Sequence, residues 1–156
     1  MRKIIGTVFI IFLIMIVLSH VVICFVNNHI AKGMERQLLE CPIPPNSEML
    51  DSASIAGKMQ GNGNGMQWFG IILIKSEMNE DELSKWYNSR VNTEGADEEI
   101  YVIKQEAPEI FEYGNYRFKN YSGEDHCYQI QFFKNIPVGF ETSIWEVFLN
   151  NDLRGH

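Results

Sequence analysis

The side chains suited to serve as base beside a Ser or Cys nucleophile, or to hold zinc, are few: four histidines and three cysteines, beside 20 carboxylates. His20 falls inside a long apolar run, His29 lies just beyond it, and His156 is the last residue. That leaves His126, next to Cys127. A cysteine nucleophile needs a base within reach, and neighbours on a strand point to opposite faces, so no Cys/His dyad is expected. Zinc needs three or four ligands, usually at close Cys or His spacing, and no such set occurs. Asp97, Glu98 and Glu99, or Glu124 and Asp125, offer oxygen atoms for calcium, but without the spacing of a calcium loop they read as solvated acids. Paired carboxylates could serve glycoside hydrolysis, yet nothing singles out one pair. We therefore assign no catalytic, metal or cofactor residue.

Two further features bear on chemistry. Gly61, Asn62, Gly63, Asn64 and Gly65 must turn sharply, because glycine adopts positive φ freely and asparagine tolerates it. A phosphate cradle would need Gly-Lys-Ser/Thr at its end, whereas Met66 and Gln67 follow. Asn-Gly between apolar runs is instead a hairpin signal; the five residues remain a candidate ligand loop through their backbone amides. Cys41 and Cys127, in an oxidising exterior, could form one disulfide; the alternative is two separate thiols.

The element that must position all of this is residues 4–26. These residues carry no charge, and 17 of them are Ile, Val, Leu or Phe. At 1.5 Å per residue such a helix spans about 34 Å, enough for a hydrocarbon core of about 30 Å. A cleaved signal has a shorter apolar region and a small-x-small site, which is missing here. Val22 and Ile23 are too bulky for a lipoprotein site at Cys24. In a type IV pilin-like chain a glutamate would follow the processing glycine by five residues, where Gly6 is followed by Ile11. We expect an uncleaved anchor, with Arg2 and Lys3 inside and the rest of the chain outside. His20 reads as an imidazole near the outer interface.

Setting aside Arg2 and Lys3 leaves 11 basic against 20 acidic residues, a formal charge of −9. That repels nucleic acid and anionic lipid. Residues 27–40 can prolong the helix as a stalk, with Ile30, Met34 and Leu38 on one face. Three prolines within residues 41–45 stop it and predict a stiff spacer. The head, residues 46–156, then reads as a strand at 47–59, the turn, and a central strand at 68–74. A helix follows, with Asn79 as cap and Glu82 completing a capping box; Leu83, Trp86 and Tyr87 give it an apolar face. Strands are expected at 100–104, at 116–121 and 127–134 as a second hairpin, and at 144–149, where a short terminal helix is the alternative. This is an α+β protein: an N-terminal transmembrane helix, then a small antiparallel or mixed sheet with one main helix packed on it.

At Glu40-Cys41-Pro42, Asn46-Ser47-Glu48, Ala56-Gly57-Lys58 and the run from Gly61 to Gln67, the chain resembles small membrane-anchored proteins of clostridia-like Gram-positive bacteria. The resemblance spans residues 40–87. It implies a bacterial plasma membrane and an outward head, and carries over no catalytic residue. It also weakens the disulfide, since such anaerobes use few.

The sequence thus points to a single-pass anchored module that binds or assists another envelope or membrane protein without catalysis. A membrane-tethered carboxylate hydrolase, and a ligand sensor acting through a partner membrane protein, stand as alternatives.

Overall fold

The computed structural model describes residues 2–61, 65–91, 93, 98–112, 115–123, 125–136 and 145–149. One helix, α1 (Arg2–Glu40), runs unbroken for 39 residues. Its apolar part is long enough to cross a membrane. Every residue from 4 to 19 is exposed, whereas Cys24, Asn27, Ala31, Met34, Glu35 and Leu38 are buried. These two halves have different partners. The first presents Ile, Val, Leu and Phe on all sides, the pattern of a helix solvated by lipid. The second lays one stripe, at spacings of three and four residues, on a sheet.

That sheet has four antiparallel strands in the order β1-β2-β4-β3: β1 (Ser47–Gly57), β2 (Met66–Ser76), β3 (Glu98–Lys104) and β4 (Cys127–Ile136). β2 is a near-continuous apolar run and sits between two neighbours, buried on both faces as such runs require. Alternation along β2 and β4 sorts the core into two layers. Trp68, Ile72, Ile74, Tyr128, Ile130 and Phe132 face α1 and α2 (Glu80–Asn88). Phe69, Ile71, Leu73 and Cys127 face the other way, where Ile110, Phe111 and Phe118 from the chain between β3 and β4 cover them.

Helix α2 starts where the sequence marks it. Asn79 Oδ1 accepts the Glu82 N–H at 3.0 Å, and Glu82 Oε2 accepts the Asn79 N–H at 3.0 Å. Leu83 and Tyr87 are its buried face. Asn79→Ala removes one half of this box and should lower stability by about 1 kcal/mol, read as a shift in the urea midpoint with unchanged slope.

Three expectations are corrected. Residues 116–121 form no strand with β4, because both edges of β4 are already taken by β2 and β3. They fold back on residues 108–110 instead: Ile110 N–H donates to the Tyr116 carbonyl at 2.9 Å and Phe118 N–H to the Pro108 carbonyl at 2.8 Å. The alternation of Tyr116 and Phe118 therefore serves to plug the second layer. Within residues 144–149, the structure shows a short helix, α3 (Glu146–Leu149), not a strand. Finally, residues 41–45 are not a spacer between the apolar run and the head, because α1 is already built into the head's core from Cys24 to Leu38. They reverse the chain so that β1 starts beside the helix end, and Trp86 Nε1 donates to the Pro42 carbonyl at 2.9 Å.

Candidate functional site

The direction of the sheet relative to α1 fixes where each candidate lies. Asn27 is the first residue after the apolar run, and its Oδ1 accepts from Trp68 Nε1 at 3.2 Å. About two turns further, Met34 and Glu35 pass directly over Gly70. The stretch of β2 from Trp68 to Ser76, about 26 Å of strand, therefore leads away from the apolar half.

At that remote end the chain forms an open cleft of about 520 Å³. Its walls come from the start of β1 and the end of β2, with His126 from the turn before β4. Two backbone positions are unusual. Asn46 has φ 54° and His126 φ 67°, and among the described residues these are the only non-glycine positions with positive φ. Asparagine and histidine enter this region more readily than most side chains. Both line the cleft, and backbone held in sparsely populated regions tends to collect at binding sites. The cleft carries charge of both signs. Glu48 lies across the strand pair from Lys75, and Glu77 Oε2 accepts from Asn46 Nδ2 at 3.1 Å.

Chemically the cleft is a polar surface, and its described residues do not pair a nucleophile with a base. Ser76 Oγ accepts the Met78 N–H at 3.1 Å and lies 2.7 Å from Ser47 Oγ. The His126 carbonyl accepts the Ser76 N–H at 3.0 Å. The serines are thus tied to each other and to backbone, and no hydrogen bond joins either hydroxyl to the imidazole. Among the described residues no three His, Cys, Asp or Glu side chains converge as a metal site would need. Sequence reasoning missed this cleft because its residues lie in three separate segments. The local signal was Asn46 after two prolines and His126 after Gly123, both turn positions.

Gly61 and Gly65, which bracket the glycine run, lie at the opposite end, before the start of β2. Asn62, Gly63 and Asn64 fall outside the described residues. The roots of the run have structural duties. Gly61 has φ 70°. A Cβ on Gly65 would strike the Ile136 carbonyl, so glycine lets β2 and β4 close together there. The Gln67 amide holds the near side: its Oε1 accepts the N–H groups of Met59 and Gln60 at 2.7 and 2.9 Å, and its Nε2 donates to the Gln60 carbonyl at 2.8 Å. Those two amides are therefore already used, and a ligand would have to draw on others.

A second polar group lies in the seam between α1 and the sheet. Glu35 is almost fully buried, pairs with Lys32, and accepts from Ser52 Oγ at 2.7 Å. Asn27 Nδ2 donates to Glu146 Oε1 at 2.6 Å, with both residues buried. Buried polar atoms tolerate few alternative pairings, so these contacts fix the register of the helix on the sheet.

No disulfide joins Cys41 and Cys127. They belong to core layers on opposite faces of the sheet, Cys41 with α1 and α2 and Cys127 with the covering loop. Burial pushes the Cys41 thiol up, against the lowering effect of nearby Arg90. Burial also pushes the Tyr87 phenol above its usual range, with Cys41 adding to the effect. Two results should follow. Alkylation in denaturant without reductant should modify all three cysteines. In the native protein, Cys41 alkylation should rise with pH through an inflection above the ordinary thiol value.

Among the described residues β3 forms one edge of the sheet, with Tyr101 and Ile103 each 42% exposed.

Comparisons with protein-family models, with curated proteins and with solved structures find no match for this chain. The functional reading rests on the fold and the cleft.

Proposed function

We propose that the protein is a single-pass, membrane-anchored binding module of the plasma membrane, with its N-terminus inside, its head outside, and no catalytic step of its own. The observation that carries this reading is the position of the polar cleft at the end of the head furthest from the apolar half of α1. Because α1 is continuous and half built into the core, the head is rigid on its anchor. The cleft is then presented to whatever stands above the bilayer, another envelope or membrane protein. The acidic balance of the head and the mixed charges of the cleft suit a partner carrying both amines and carboxylates, and disfavour nucleic acid.

A photo-reactive amino acid at Glu48, in intact cells, tests this. One dominant adduct at Glu48, absent with the same group at Tyr101 on the β3 edge and lost in a Lys75→Glu, His126→Ala variant, is the expected result. Equal, diffuse adducts at both positions would refute the cleft as the binding surface. The hydrolase reading has Glu48 and Glu77 in one cleft to draw on. Turnover of wall fragments by purified protein, lost in Glu77→Gln, would replace the binding reading.

A further inference from the structure

The depth of each residue can be read along α1. If the inner hydrocarbon boundary lies at residue 4, about 20 residues of helix reach the outer boundary, near residues 23 and 24. Cys24 is buried by protein, so the head does not stop short of the bilayer. Asn27 stands about 5 Å further out, within the headgroup layer. There its side chain is bonded to Glu146, at the start of α3. The helix places successive side chains about 100° apart. Glu146 points to α1, so Phe148, two residues on, projects away from it. Phe148 is 76% exposed, the most exposed large apolar side chain among the described residues. Its ring lies 6.0 Å from that of Trp145. At the same depth α1 itself exposes Val22, Phe25 and Val26.

From this we infer that α3 is a lipid-contacting foot, with Trp145 and Phe148 seated in the outer headgroup and acyl boundary of the same bilayer that holds α1. Aromatic side chains favour that layer, where rings meet acyl chains and the indole N–H meets headgroups. At this depth Phe148 extends the apolar surface that Val22, Phe25 and Val26 expose on α1. The contact is apolar, so the acidic head does not oppose it. A second foothold beside a single helix limits how far the head tilts on the bilayer and keeps the cleft facing away from it.

The inference rests on α1 being the membrane span, and the test separates the two. The full chain is placed in phosphatidylcholine vesicles with a nitroxide on Phe148→Cys, on Leu13→Cys within the apolar run, or on Glu48→Cys at the remote cleft. The native cysteines are buried, and unsubstituted protein sets the background. The expected result is a Phe148 label relaxed several-fold more by oxygen than by a water-soluble nickel chelate, as at Leu13, with the reverse at Glu48. A Phe148 label that behaves like Glu48, or one shielded from both reagents by protein, overturns the foot while leaving the span intact. A Leu13 label in water would refute the span and the foot together. Should Phe148→Cys disturb folding, quenching of tryptophan fluorescence by brominated lipid provides the second readout. Quenching in the unsubstituted protein should fall sharply in Trp145→Phe; equal quenching in the two overturns the foot.

Discussion

Replacing Gly70 with alanine is expected to lower the stability of the head by about 3–5 kcal/mol, at or above the upper end of what overpacking a core costs. The added Cβ would lie 2.8 Å from Glu35 Cα and closer still to the peptide joining Met34 and Glu35. Those atoms are helix backbone, so no rotamer change relieves the overlap. The helix must lift from the sheet, and with it the buried stripe of Ala31, Met34 and Leu38. Gly33→Ala provides the control on the same helix. Its Cβ would meet nothing within 4 Å, and alanine is favoured over glycine within a helix by about 1 kcal/mol. One substitution type should therefore give opposite signs at two sites. In detergent-solubilised full chain, the thermal midpoint should fall by about 10–20 °C for Gly70→Ala and rise by a few degrees for Gly33→Ala. A Gly70→Ala protein melting like the unsubstituted one would mean that α1 does not dock at this register.

Gly70 also illustrates what the sequence could disclose. A glycine within an apolar strand signals close backbone approach, but which backbone approaches depends on tertiary structure. The local signals read correctly are those whose physics is local: a charge-free run long enough to span, a turn forced by alternating Gly and Asn, a capping box closing within four residues. The β1–β2 hairpin follows from the turn between its strands. The expected hairpin of 116–121 with 127–134 failed for the opposite reason. Both segments alternate as strands do, but pairing is a competition, and β2 supplies ten residue pairs to β4. Loop aromatics then serve the second core layer better than a fifth strand would. The cleft was not legible because Asn46, Ser76 and His126 converge only once β1, β2 and β4 are aligned. The proline segment misled because its stiffness is visible in sequence while its direction is not.

Asn27→Ala should produce the second large effect, and for a different reason. The amide serves two buried partners, accepting from Trp68 Nε1 and donating to Glu146 Oε1. Truncation takes a partner from each and opens space between them. A lost bond to a buried charged group, together with a second to an indole, costs about 2–4 kcal/mol. Glu146→Gln keeps the shape and removes the charge, so alone it should cost less. Added to Asn27→Ala it should cost less again, because the stranded carboxylate is no longer charged. The double-mutant cycle should therefore return a coupling of about 1 kcal/mol or more. Additive effects would show that the two side chains do not meet. The same substitution has a local signature that Gly70→Ala lacks. Asn27 ties α3 to the helix at the level where the apolar run ends, so amide exchange should accelerate first in α3 while β2 and β4 stay protected. Gly70→Ala should loosen all of them together. Two variants on neighbouring parts of one seam thus separate the contact that seats α1 on the sheet from the contact that seats α3 against α1.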